Sequence, residues 1–218
     1  MNKIDNQQKI AREILHSLEI IDPNCILAGG APRNWFFNKL ANDLDFYIYI
    51  PDETMFRTEL RFKRLGLDVK HVDFTSEKWE DYGIMKHLFR IYEMEYKGEK
   101  VQIMIMREPT FNSVVYHFGV SICKFWWKGY DVVPTNEALI SIINKTLYIK
   151  DDYSAKEIHV EKQKKYFPEY KVLPYSEFDV AESLTFEEYM DIGFSRGTIS
   201  YTQRLLDLAK EIIKNEQD

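Results

Sequence analysis

The stretch of sequence that most constrains the fold is residues 25–51, which reads as strand, turn, helix and strand in close succession. The first strand is the short apolar run CILA, and Gly29 and Gly30 end it. The second strand, NDLDFYIYI, is rich in β-branched and aromatic residues and is closed by Pro51. This order of elements predicts a mixed α/β fold.

The helix after the glycines carries Pro32 in its first turn, where a missing amide hydrogen has no cost. We expect the helix to run through Trp35, Phe36 and Leu40 and to bury those side chains. A turn without β-carbons lets a phosphate approach the backbone, and a helix start presents free amide groups. The glycine turn is therefore a candidate phosphate site, to which Arg33 could add a forked donor.

Two aspartates, Asp43 and Asp45, open the second strand one residue apart. Because side chains alternate across a strand, both carboxylates are expected on one face, with Leu44 and Phe46 on the other. Neighbouring carboxylates repel unless a cation lies between them, and magnesium bound through oxygen ligands meets that need. The pair alone also fits a solvated surface, and Arg33 could equally lie exposed or pair with Asp43.

The segment LAGGAPRNWFFNKLANDLDFYIYI resembles the signature of the polymerase-β-type nucleotidyltransferase superfamily, in the form found in tRNA CCA-adding enzymes and bacterial poly(A) polymerases. Gly29 and Gly30 match its glycine pair, Arg33 its arginine, and the two aspartates its metal-binding pair. Pro32 and Asn34 depart from it, since those enzymes usually carry valine and aspartate there. The resemblance implies that both glycines, Arg33 and Asn34 bind the nucleotide.

The resemblance also implies a mechanism in which Asp43 and Asp45 are catalytic and hold two magnesium or manganese ions. One ion lowers the pKa of an acceptor hydroxyl, and the other binds the triphosphate and stabilises the departing pyrophosphate. A third carboxylate normally joins from a later antiparallel strand. Residues 87–109 read as a hairpin with its turn at Gly98, and residues 101–106 are the expected third-carboxylate strand.

The third-carboxylate position on that strand holds Gln102, which carries no negative charge. Glu93, Glu95 or Glu108 could substitute, although each is also typical of a solvated surface charge. Two carboxylates can still bind a magnesium triphosphate, because the phosphates contribute ligands. The chain is therefore either an enzyme with a displaced or missing third acid or a fold that binds nucleotide without catalysis.

Residues 118–149 resemble a stretch that follows the core in small uncharacterised nucleotidyltransferase-like proteins of viruses and bacteria. An aspartate often follows the phenylalanine in that pattern, and Gly119 stands there in this chain, so a second acid is absent. Phe125, Trp126 and Trp127 form a strand that either offers one ring to a nucleobase or is buried on both faces.

The remaining sequence is predicted to be mostly helical, with Thr135, Ser154 and Thr198 as candidate N-caps. The segment KEIHVEKQKKYFPEYK forms a basic patch that could meet RNA or a triphosphate, or a solvated helix face. The patch consists of Lys156, Lys162, Lys164, Lys165, Lys171, Tyr166 and Tyr170. We divide the chain into a nucleotidyltransferase-like core, residues 1–150, and a helical C-terminal region, residues 151–218, packed on that core.

Composition limits the partners that the chain can take. Its 218 residues are 45% hydrophobic, enough for a real core, and its formal net charge of -6 supplies no general attraction for nucleic acid. An RNA partner would need a local patch, and no DNA duplex is expected.

The sequence shows no signal peptide or membrane span, which predicts a cytoplasmic protein of a cell or an infected host. Cys25 and Cys123 lie in apolar segments and are expected in the core.

The sequence thus predicts an α/β (α+β) protein with a small mixed sheet, flanking helices and a helical C-terminal half. Its predicted function is magnesium- or manganese-dependent transfer of a nucleoside monophosphate from a triphosphate to a hydroxyl group. The acceptor would be RNA such as tRNA, a protein or a small molecule. The alternative is a catalytically degenerate protein of the same fold, which binds a nucleotide or a partner without turnover.

Overall fold

The computed structural model describes residues 2–51, 57–72, 87–109, 113–151, 156–178 and 201–215. The helices are α1 (Lys3–Glu19), α2 (Gly30–Phe36), α3 (Thr58–Arg64), α4 (Ser113–Tyr116), α5 (Asn136–Ile143), α6 (Lys156–Lys164) and α7 (Tyr201–Asn215). The strands are β1 (Ile26–Ala28), β2 (Leu44–Tyr49), β3 (Lys70–Val72), β4 (Leu88–Tyr96), β5 (Glu99–Met106), β6 (Phe125–Trp127), β7 (Val132–Pro134), β8 (Thr146–Ile149) and β9 (Lys171–Pro174).

Seven of the strands form one mixed sheet in the order β3-β4-β5-β2-β1-β6-β7. Strand β1 runs antiparallel to β2 and β6, β2 runs parallel to β5, and β4 runs antiparallel to β3 and β5. The predicted α/β class with a mixed sheet is confirmed. The predicted hairpin is present as well, with φ of 52° at Lys97 and 84° at Gly98, as a two-residue turn between twisted strands requires.

The two faces of the sheet carry separate apolar clusters. One cluster joins helix α1, through residues such as Ile14 and Leu18, to Leu44, Phe46 and Ile103. The other cluster covers the opposite face and consists of Ile26, Ala28, Tyr47, Leu88, Ile91, Met104, Met106, Val114 and Val115. Alternation along β2 therefore sends Leu44 and Phe46 to the α1 side, as predicted, and leaves the odd-numbered residues of β2 on the other face.

Contacts along the chain define two compact units, which we call the sheet unit and the C-terminal unit. The sheet unit comprises residues 1–118 and 125–133, and the C-terminal unit residues 119–124 and 134–218. The earlier division after residue 150 stays a prediction.

Within the C-terminal unit, Thr135 caps α5 as predicted, because its hydroxyl accepts a hydrogen bond from the Ala138 amide at 3.3 Å. The candidate caps Ser154 and Thr198 lie outside the described residues. A parallel pair, β8 and β9, also forms, although this region was expected to be helical. Its pairing joins segments distant in sequence, such as Leu147 with Val172, so neither short run signals the pair by itself.

A buried cation lies in the C-terminal unit. The Lys124 ammonium pairs with Glu137 and lies 4.7 Å from the ring centroid of Tyr175. Burial lowers the pKa of Lys124, although the neighbouring Glu137 carboxylate opposes that shift. The contact set explains why a lysine can be only 1% exposed, since a buried charge requires a paired partner.

Two smaller expectations also have clear outcomes. Cys25 is a buried core residue, as predicted, and burial raises the pKa of its thiol to about 12. The prediction that α2 reaches Leu40 is wrong. Asn38 adopts a left-handed backbone, with φ of 54°, which ends the helix and leaves Leu40 44% exposed.

Across the ranges that the structure describes, no helix combines the length and apolar character needed to cross a membrane.

Candidate active site

The glycine turn links β1 to α2 in a conformation that a side chain would strain. Gly29 has φ of 86° and ψ of -124°, and its amide donates to the Phe125 carbonyl at 2.9 Å. Gly30 begins α2, and a β-carbon added there would meet no heavy atom within 4 Å. Gly29 therefore determines the direction of the backbone after β1, whereas the space beside the α-carbon of Gly30 is open.

The two aspartates lie at the same edge of the sheet as the glycine turn. Asp45 is the second residue of β2, and Asp43 directly precedes that strand. Because β1 and β2 are antiparallel, with Leu27 opposite Phe46, the end of β1 and the start of β2 meet at one edge. Both aspartates are partly exposed. The structure thus brings together the glycine turn and the carboxylates that sequence reasoning selected.

A row of polar residues crosses the sheet at this edge. Asp45 pairs with Gln102 on β5, Gln102 with Glu93 on β4, and Glu93 with Lys70 on β3. Directly paired residues project to the same face of a sheet, so these side chains lie in line. The Gln102 amide nitrogen donates to the Glu93 carboxylate at 2.6 Å. We call Asp45, Gln102 and Glu93 the polar row.

The three glutamates that could replace the third acid occupy different places. Glu93 is in the polar row, whereas Glu95 lies two pairs further along the hairpin, opposite Lys100. Glu108 follows β5, and its carboxylate is 3.9 Å from the His87 ring nitrogen. Among the residues that the structure describes, no group of three or more His, Cys, Asp or Glu side chains could hold a metal ion. A metal at this edge would therefore depend on the two aspartates and on neutral oxygen ligands.

Arg33 and Asn34 are both buried, at 3% and 5% exposure, which excludes the exposed-surface alternative for Arg33. Two guanidinium nitrogens of Arg33 donate to the Asn34 side-chain oxygen, at 3.1 and 2.7 Å. The Asn34 amide donates in turn to the Leu40 carbonyl at 3.0 Å. These bonds connect α2 to the loop that leads to Asp43. Direct contact of either residue with a nucleotide stays a prediction.

A second support of this loop comes from Gln7, which sequence reasoning missed. Its amide group donates to the Ala41 carbonyl at 3.0 Å and accepts from the Ala41 amide at 2.9 Å. The same side-chain oxygen accepts from the Trp35 indole at 2.8 Å, and the amide also donates to Glu99 at 2.7 Å. Gln7 is 2% exposed on the apolar side of α1, and a polar residue at such a position was the available signal.

The aromatic strand β6 divides its side chains between the two faces of the sheet. Phe125 and Trp127 are fully buried, packing against Phe36 at 5.2 Å and Trp35 at 5.3 Å between ring centroids. Trp126 is half-buried and borders the apolar cluster on the face of the polar row. The expectation of one ring near the surface therefore falls on Trp126.

Two predicted features lie in the C-terminal unit. Gly119, at the place of the second absent acid, is buried, and its carbonyl accepts from the Lys150 amide at 2.9 Å. The basic patch is smaller than the sequence indicated, because Tyr170 is fully buried and Lys164 donates to the carbonyls of Tyr170 and Pro168. Lys164 and Tyr170 thus stabilise the turn after α6. Among the patch side chains that the structure describes, which do not include that of Lys156, the exposed cations are Lys162, Lys165 and Lys171.

Comparison with known proteins addresses the fold. No protein-family model matches the sequence, and no curated protein matches it in a sequence search. Solved structures do match. The chain is similar to the Bacillus stearothermophilus CCA-adding enzyme in complex with CTP, with a TM-score of 0.52 and 11% identity over 94% of this chain and 48% of that chain. The fold is nucleotidyltransferase-like.

Two further structures agree with that assignment. The Thermotoga maritima CCA-adding enzyme complexed with tRNA matches with a TM-score of 0.50 and 14% identity, over 94% of this chain and 49% of that chain. A tRNA-processing enzyme in an apo form matches with a TM-score of 0.50 and 14% identity, over 77% of this chain and 44% of that chain. The chain thus spans less than half the length of these structures, and identities this low show the fold alone.

Proposed function

We propose that the chain is a metal-dependent nucleotidyltransferase that moves a nucleoside monophosphate from a triphosphate to a hydroxyl group. The observation that carries this proposal is the meeting of the glycine turn and the Asp43 and Asp45 carboxylates at one edge of the sheet. A phosphate chain that lies on the open backbone beside Gly30 would have its negative charge next to those carboxylates. Only a cation between them makes that arrangement favourable.

The donor set at this edge fits a hard divalent cation. Asp43 and Asp45 would offer carboxylate oxygens and Gln102 an amide oxygen to magnesium or manganese, and triphosphate oxygens would supply further ligands. Such an ion supplies activation of the acceptor hydroxyl and neutralisation of the phosphate charge. The residues of the chain position the reactants, and positioning with charge stabilisation accounts for most of the catalysis in phosphoryl-type transfer.

Arg33 and Asn34 contribute to this proposed site mainly through the loop that they support. Their side chains are buried and hydrogen-bonded to each other, and the Asn34 amide also donates to the Leu40 carbonyl. A loop held in this way keeps Asp43 at a constant position relative to the glycine turn, which lowers the cost of ordering the site when a nucleotide binds.

The structural neighbours suggest which donor and acceptor to test first, since one is in complex with CTP and another with tRNA. We propose a nucleoside triphosphate as donor and RNA, tRNA first, as acceptor, with proteins and small molecules as other acceptors. At a net charge of -6, RNA would have to be held by local cations such as Lys162, Lys165 and Lys171.

The test is incubation of the protein with each labelled nucleoside triphosphate, magnesium or manganese, and a mixture of total tRNA and protein. We expect pyrophosphate release and label on one acceptor class, both lost in the Asp43→Asn, Asp45→Asn double variant. Metal-dependent triphosphate binding that survives this double substitution would show that the site is elsewhere.

One observation favours a second function, a nucleotide-binding protein without turnover. Gln102 stands directly beside Asp45, where an acid would complete the site. Exchanging the two residues, Gln102→Glu with Glu93→Gln, keeps the hydrogen bond between them and moves the acid beside Asp45. This exchange should raise transfer by about tenfold or more if only a ligand charge is missing, since changes around a metal alter its binding and activity by that order. Binding of metal and triphosphate with no transfer in either protein would favour the second function.

A further inference from the structure

The hydrogen bond between Gln102 and Glu93 determines which atom of the Gln102 amide remains available. An ionised carboxylate only accepts hydrogen bonds, so the amide nitrogen of Gln102, and not its oxygen, must be the atom that faces Glu93. The amide oxygen is then directed away from Glu93. Strand β5 lies between β4 and β2, and Asp45 is the partner of Gln102 on the β2 side.

We infer that Glu93 is a positioning residue, which holds the Gln102 amide so that its oxygen serves as the third oxygen ligand beside Asp43 and Asp45. This inference rests on the proposed function, because it concerns the same metal site. It differs from a simple replacement of the third acid, since Glu93 acts through Gln102 and does not itself bind the cation. The negative charge of Glu93 also polarises the amide, which makes the oxygen a better ligand.

The neighbouring glutamate shows why Glu93 is singled out. Glu95 lies on the same strand and the same face, and it carries the same charge two residues further along β4 than Glu93. Its partner across the hairpin is Lys100. A general electrostatic effect on the site would therefore involve both glutamates, whereas an effect through the amide of Gln102 involves Glu93 alone. Glu95 is thus a matched control.

The experiment measures the affinity of the full chain for Mn²⁺ by electron paramagnetic resonance, with the melting temperature recorded for every variant. Glu93→Ala should weaken Mn²⁺ binding by about tenfold, the lower end of the effect of residues that orient metal ligands. Glu93→Gln should restore most of the affinity, because a glutamine oxygen can still accept from the Gln102 amide. Glu95→Ala should leave the affinity unchanged.

A double variant tests the route of the effect. Gln102→Leu should weaken Mn²⁺ binding to about the same degree as Glu93→Ala, and the two substitutions together should weaken it no further. The inference is overturned if Glu93→Ala has no effect, or if Glu93→Gln is as weak as Glu93→Ala, which would indicate a direct carboxylate ligand. An additional loss in the double variant would overturn it too.

The same measurement separates this inference from the proposed function. If the Asp43→Asn, Asp45→Asn variant binds Mn²⁺ as tightly as the unmodified chain, the metal site itself is misplaced and the proposed function fails. If that variant loses binding while Glu93→Ala keeps it, the metal site stands and only the positioning role of Glu93 is wrong.

Discussion

Two neighbouring rows of side chains cross the same three strands on the same face of the sheet, and they differ in polarity and burial. The rows are Asp45, Gln102 and Glu93 in one case and Tyr47, Met104 and Ile91, two residues further along each strand, in the other. The second row is buried within an apolar cluster, at 6%, 7% and 0% exposure. The first row is partly or fully exposed at the edge where the glycine turn lies.

The difference between the rows lies in their side chains and not in the backbone of the sheet. Both rows have the same pairing of strands, and only the side chains and their distance from the sheet edge differ. The apolar row gains stability from burial, at about 25 cal/mol for each Å² removed from water. The polar row gains little, because exposed ion and amide contacts contribute under about 1 kcal/mol each. Its residues therefore add little to the stability of the fold, and the proposed function assigns them to the binding site.

The largest expected effect is on the free energy of unfolding, and it distinguishes the apolar row from the polar row. Ile91→Ala should lower the free energy of unfolding by about 2–5 kcal/mol, because a fully buried side chain is lost and a cavity remains. Glu93→Ala, two residues away on the same strand, should change it by less than about 0.5 kcal/mol. Urea denaturation of both variants checks this. Equal losses would mean that the polar row is part of the core.

The next effect is on the affinity for the triphosphate, and it compares two carboxylates at opposite ends of β2. Asp45→Asn should weaken metal-dependent triphosphate binding by about a hundredfold, since a charged ligand of the cation is removed. Asp22, whose carboxylate accepts from the amides of Tyr49 at 2.8 Å and Asn24 at 2.9 Å, has a structural role at the other end. Asp22→Asn should leave the affinity unchanged in calorimetry. A similar loss in both variants would point to a general effect of charge.

The smallest effect concerns the glycine pair, for which substitutions should change stability and triphosphate affinity in different ways. Gly30→Ala should stabilise the chain by about 0.4–1 kcal/mol, because the backbone there is helical and has space for a methyl group. The same methyl should weaken triphosphate binding by about tenfold, since it occupies the approach of the phosphates. Gly29→Ala should instead destabilise by about 1–2 kcal/mol through its left-handed φ. A Gly30→Ala variant with unchanged affinity would remove the turn from the site.

Local signals were sufficient for the elements around the site. The β4–β5 hairpin follows from two runs of strand-forming residues around Lys97 and Gly98, and the cap of α5 follows from Thr135. The start of β2, with Leu44 and Phe46 facing inward, follows from alternation. Each of these features depends on residues close together in the chain, so a pattern over a few positions contains the information.

Contacts between distant residues were beyond the sequence patterns. Gln7 contacts Ala41, 34 positions away, and a lone polar residue on an apolar helix face does not reveal its partner. Tyr170 looked like part of a basic patch, but it is a buried residue of the turn that follows α6, and its carbonyl accepts from Lys164. The pairing of β8 with β9 was missed for the same reason. In each case the decisive partner lies far along the chain or is met only after folding.

The sequence by itself determined the unit of strand, glycine turn, helix and aspartate strand, because the conformations of glycine, proline and alternating apolar residues are set by their nearest neighbours. The family resemblance of the sequence also predicted that Gln102 stands at the position of a third acid. Only the tertiary structure decided that Gln102 lies beside Asp45 and is bonded to Glu93 on its other side. The physical reason is that strand register depends on how the faces of the whole sheet are buried, which no short segment specifies.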